Sequence, residues 1–113
     1  MSNRWSIPKL LEEEIVARDK HCVYCGILMI DKSLDGAPRR TLANWEHIIN
    51  DASIITRENI ARCCAGCNSS KGTKELTTWL NSSYCKANGI TENTVAEVVK
   101  SAIKAARDRV KNH

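Results

Sequence analysis

Apolar residues recur at helical spacing near both ends of the chain and at shorter spacing between them. Leu10, Leu11, Ile15 and Val16 repeat at helical intervals up to about Asp19, which predicts an N-terminal helix. Ser6 before Ile7-Pro8 marks its start, because proline is tolerated in a first helical turn. Towards the other end, Val95, Val98, Val99, Ala102, Ile103, Ala106 and Val110 form one stripe opposite Lys100, Lys104, Arg107 and Lys111. That pattern predicts an amphipathic helix capped by Thr91, whose apolar face packs on the core. Between these helices, 27–30, 40–49 and 59–63 read as short strands. Residues 31–38 hold Asp, Ser, Gly and Pro and read as a loop. From Asn68 the spacing turns helical again through Leu76, Trp79 and Leu80. Gly72 weakens its first turn and Asn88-Gly89 ends it.

The chain has 113 residues, the size of one domain, and contains no Phe, three Trp and two Tyr. A core built mainly from aliphatic residues in so short a chain gains from a metal staple. Cys22-x-x-Cys25 and Cys64-x-x-Cys67 supply one. Each pair sets two thiolates on a tight turn, and two such pairs close a tetrahedral four-sulfur zinc site. Cys63 could compete with Cys64, but two intervening residues match the first pair, so Cys64 is the expected ligand. Cys63 and Cys85 are then small apolar fillers. Residues 1–6 have no apolar run of signal-peptide length, Glu12-Glu13-Glu14 follow soon after, and no stretch approaches a membrane span. The expected location is cytoplasmic, in a bacterial or phage-encoded setting, where thiols ligate metals more readily than they form disulfides.

The formal charge of +4 falls by about two once four thiolates and a zinc ion are counted. Nucleic-acid affinity therefore rests on local placement, with Arg39, Arg40, Arg62 and Lys71 the expected contacts. Between the cysteine pairs stand Glu46 and His47, and Asn68 follows Cys67 directly. A neutral imidazole can take a proton from water near neutral pH. Glu46 and Asn68 offer oxygen donors, which suit a hard ion such as Mg²⁺ or Mn²⁺. Successive strand residues face opposite ways, so a bend at Glu46-His47 is expected if both are to reach one phosphate.

Taken together, Cys22-Val-Tyr-Cys25-Gly, Trp45-Glu-His47-Ile-Ile and Glu58-Asn59-Ile-Ala-Arg-Cys-Cys64-Ala-Gly-Cys67-Asn68-Ser-Ser-Lys71-Gly resemble the HNH endonucleases. The similarity is to their four-cysteine zinc-containing branch, related to phage junction-resolving endonucleases. It covers about residues 20–75 and leaves 76–113 as a helical extension of the same single domain, 1–113. The resemblance implies an α+β fold, a ββα-metal core flanked by N- and C-terminal helices. It also implies His47 as general base, Asn59 as a brace for the loop between two strands, and Glu46 and Asn68 as ligands of the catalytic ion. Two positions depart from the usual pattern: Glu46 stands where Asp is usual, and Asn50 where Pro is frequent.

The expected function is metal-dependent hydrolysis of phosphodiester bonds in DNA, with structural Zn²⁺, catalytic Mg²⁺ or Mn²⁺, and no small-molecule cofactor or membrane partner. A homodimer joined through the C-terminal apolar stripe is the expected route to double-strand cutting. The alternatives are a catalytically inactive zinc module binding nucleic acid or protein, and a thiol redox protein using Cys22 and Cys25.

Overall fold

The computed structural model describes residues 7–32, 36–51 and 53–111, except the side chains of 109–111. Ser6, read above as a helix start, the side chain of Val110 and part of the 31–38 loop lie outside the described residues. Helix α1 spans Lys9–Arg18, with Pro8 immediately before it. Of its expected apolar face, Ile15 is fully buried, whereas Leu10 is 82% exposed.

Strands β1 (Ala43–His47) and β2 (Ile60–Cys64) pair antiparallel, from Ala43 opposite Cys64 to His47 opposite Ile60. Both strands are short. The segment before β1 coils into a 3-10 turn at Arg39–Thr41, where the Thr41 N–H and hydroxyl both donate to Pro38 O. Residues 27–30 form two isolated bridges instead of a strand, His21 with Leu28 and Ile30 with Leu42.

Alternation along β2 sends Ala61 and Cys63 to one face and Ile60 to the other. The first face joins the main core, with Val23, Tyr24, Ile48, Trp79, Val99 and Ile103. The second meets a smaller cluster of Ile7 and Ile15, with Leu11, Trp45 and Ile55 against it.

The helical stretch expected from Asn68 onwards is three short helices. Helix α2 (Ala65–Lys71) begins directly after β2 and stops at Gly72, whose φ of 52° favours glycine. Helices α3 (Leu76–Leu80) and α4 (Ser83–Ala87) each open on a side-chain cap: Glu75 accepts from Thr78 N and Ser82 from Cys85 N. These caps divide what apolar spacing alone joins.

Helix α5 spans Glu97–Lys111. Thr91 does not cap it: its hydroxyl accepts from Asn93 N in a turn that precedes the helix. Val95, Val99, Ala102 and Ile103 are buried in the chain's own core. These four positions of the stripe expected to join two copies thus pack within one, while Val98 and Ala106 are half-buried. Just before α5, Ala96 N donates to Val23 O at 2.8 Å, tying the C-terminal helix to the first cysteine turn. Among the described residues, no helix is long and apolar enough to cross a membrane. The described residues form a mixed α+β fold of two strands and five α-helices with four cysteines gathered at the end of the hairpin.

Candidate metal centre and active segment

Cys22 and Cys25 lie on a turn closed by Cys22 N donating to Ile27 O and Gly26 N donating to Cys22 O. Cys64 ends β2 and Cys67 lies in the first turn of α2. In both pairs the second cysteine's N–H points at the first cysteine's sulfur, Cys25 N to Cys22 Sγ at 3.5 Å and Cys67 N to Cys64 Sγ at 3.4 Å. All four Sγ atoms lie within 4.8 Å of one another, and Cys25 and Cys64 are 3.7 Å apart. Sulfurs placed tetrahedrally about 2.3 Å from zinc are separated by about 3.8 Å, so the cage is already near that size.

The electrostatics favour a cation. Hydrogen bonds from Cys64 and Cys67 hold the Cys22 thiol down to about 2. Cys67 is pushed far up because its proton is held by Cys22 and Cys64, while burial pushes Cys25 up to about 11. Several sulfurs this close cannot all ionise without a compensating positive charge. Four thiol donors fit zinc in number and chemistry, and fill every position of a tetrahedral site. Cys63 is also buried, on the inner face of β2 and outside the four-sulfur cluster.

The acid–imidazole pair departs from expectation. Glu46 and His47 are consecutive residues of regular β1, paired with Ala61 and Ile60. Their side chains therefore leave opposite faces, and the chain bends only afterwards, at 48–50. Both are buried, 6% and 7% exposed.

Glu46 Oε2 accepts the Tyr24 hydroxyl at 2.6 Å and lies 3.0 Å from Lys71 Nζ. The Lys71 side chain is 1% exposed, and its ammonium also donates to His47 O at 3.4 Å. Burial raises the proton affinity of Glu46, partly offset by the charge of Lys71. Lys71, expected at the surface against phosphate, is thus an internal counter-ion.

Asn68 sits one turn before Lys71 on α2, half-buried. Burial, and after it the charge of Glu46, pushes the Cys63 thiol up. Glu46 and Asn68 offer oxygen donors of the kind a hard cation takes, and Glu46 already has a positive charge beside it in the Lys71 ammonium.

Asn59 is 4% exposed. Its Oδ1 accepts from Ile49 N at 2.7 Å, and its Nδ2 donates to Ile49 O and Ile54 O, both at 3.2 Å. It clamps the chain two residues after His47. Asp51 is held by the Ser53 hydroxyl and N–H.

Among the expected nucleic-acid contacts, Arg39 and Arg40 are exposed on the 3-10 turn that packs beside α2. Arg62 is engaged: its guanidinium lies 5.4 Å from the Trp45 ring centroid and 2.7 Å from Asp31, and its side chain is 12% exposed. Buried Asp19, absent from the expected site, accepts from Arg62 N and pairs with Arg18. Arg18 in turn donates to Ile60 O and Arg57 O, fastening α1 to the start of β2.

Compared with family models, curated proteins and solved structures, the chain gives no match.

Proposed function

We propose that the protein is a metal-dependent endonuclease of the HNH kind that hydrolyses phosphodiester bonds in DNA. The observation that carries the reading is that Lys71 of α2 reaches Glu46 at 3.0 Å and Asn68 lies one turn before it on the same helix. That helix starts at two of the four clustered thiols. Zinc held by Cys22, Cys25, Cys64 and Cys67 would fix the start of α2 and hence the position of Asn68. Glu46 and Asn68 would hold a divalent ion, which supplies neutralisation of charge on a phosphate.

His47 is the general base of the proposal, taking a proton from the attacking water. It occupies the last position of β1, where the strand gives way to the loop clamped by Asn59. Because Glu46 and His47 leave opposite faces, a phosphate served by both must lie across the end of the strand. Exposed Arg39 and Arg40 beside α2 supply attraction for the DNA backbone.

One observation favours a second reading. Glu46 is satisfied internally by Lys71 and Tyr24, as expected if the segment only supports a non-catalytic zinc module. Incubating zinc-loaded protein with plasmid and branched DNA in Mg²⁺ or Mn²⁺ separates the two. The nuclease reading expects cleavage that disappears in a folded His47→Ala variant; the zinc-module reading expects none from either protein.

A further inference from the structure

The groups around Glu46 come from both halves of the cysteine centre. Tyr24 lies between Cys22 and Cys25, and its hydroxyl donates to Glu46 Oε2 at 2.6 Å. Lys71 ends the helix that begins at Cys64 and reaches the same oxygen at 3.0 Å. Asn68 and Lys71, three residues apart on that helix, share a face. The ammonium therefore sits on the carboxylate that a divalent ion would use, one turn along α2 from the residue that would be its second ligand. A dication and an ammonium on one buried carboxylate oxygen repel strongly, since little water screens them. Both cannot keep their closest positions.

Resting on the nuclease reading, we infer that Lys71 is a resident cation of the ion site, which a divalent ion must displace from Glu46. An ammonium freed from Glu46 is one turn from Asn68 and can turn to the next strongest anion available, a DNA phosphate. Ion entry and phosphate binding then assist each other: phosphate offers the ammonium a new partner, and its departure opens the carboxylate to the ion. By the same linkage, DNA raises ion affinity by the factor by which the ion raises DNA affinity. In free protein the ion site is held closed by a charge of the chain's own.

The test uses full-length zinc-loaded protein and an amine-reactive reagent, with modification of Lys71 read by peptide mass spectrometry. Without divalent ion Lys71 is protected while exposed Lys86 and Lys104 are modified. With excess Mg²⁺ Lys71 becomes modified, and a short DNA duplex added with Mg²⁺, whose phosphate takes the freed ammonium, shields it again. Protection unchanged by Mg²⁺, or Lys71 modified equally in its absence, overturns the inference. Mn²⁺ titration followed by electron paramagnetic resonance gives a second readout: Lys71→Met binds Mn²⁺ tighter than wild type by on the order of tenfold, and Glu46→Gln/Lys71→Met loses the gain. Equal Mn²⁺ affinity in wild type and Lys71→Met also overturns it. DNA cleavage by a protein whose Lys71 stays protected in Mg²⁺ alone would leave the nuclease reading standing and remove this one. Release of Lys71 without cleavage would do the reverse.

Discussion

Asn59 turns one side chain into three hydrogen bonds on the loop that follows His47. Asn59→Ala leaves Ile49 N and two carbonyls without those partners in a largely buried place. We expect a loss of about 2–3 kcal/mol, measured by urea unfolding of the zinc-loaded protein. Sequence alone made Asn59 an ordinary turn residue, and only the resemblance suggested a brace. Lys71 shows the opposite failure. A lysine beside a glycine reads as solvated, and nothing local reveals that Glu46 lies across the helix from it. Removing one partner of a buried ion pair is costly. Lys71→Ala is expected to destabilise the fold by roughly 3–5 kcal/mol, and Glu46→Gln/Lys71→Met by less, in the same assay. If the double variant is the less stable of the two, the ion pair is not what Lys71 contributes.

Cysteine spacing was the most legible element, because Cys-x-x-Cys carries its own geometry: a turn narrow enough for two sulfurs, repeated with the same N–H···S contact in both pairs. The choice between Cys63 and Cys64 follows from strand alternation, which turns Cys63 inward and leaves Cys64 at the head of α2. Cys64→Ser should therefore lose zinc while Cys63→Ala retains one ion per chain, as measured by elemental analysis. Retention by Cys64→Ser with loss by Cys63→Ala would exchange their roles. Helix boundaries were less legible. The stretch after Asn68 has continuous apolar spacing, yet Gly72 and the caps at Glu75 and Ser82 divide it. Glu75→Ala removes the α3 cap and is expected to cost about 1 kcal/mol in thermal or urea unfolding. Thr91 failed as a cap because its side-chain oxygen accepts the Asn93 N–H in a turn that ends before the helix begins at Glu97.

At the scale of the whole molecule, the α+β class, the terminal helices and the four-cysteine cluster were readable, because each follows from periodicity or spacing. The relation of Glu46 to His47 was not, because only strand pairing decides where the chain bends. Zinc held by the four clustered cysteines would tie the first turn, the hairpin and α2 together, so chelation is expected to unfold the protein and lower its thermal midpoint, as followed by circular dichroism. The pH dependence has a defined sign. Cys25 and Cys67 hold their protons above the ordinary thiol range in the metal-free fold. Zinc would have to displace those protons, so affinity is expected to weaken as pH falls through neutrality. Chelator competition at several pH values measures that slope.

The central proposal, phosphodiester hydrolysis by His47 beside a cation held at Glu46 and Asn68, is tested most directly by DNA cleavage with zinc-loaded protein in Mn²⁺. The account predicts that wild type nicks or linearises plasmid DNA while His47→Ala, with the same zinc content and unfolding midpoint, does not. Intact plasmid after incubation with wild type, or equal cleavage by His47→Ala, would contradict it.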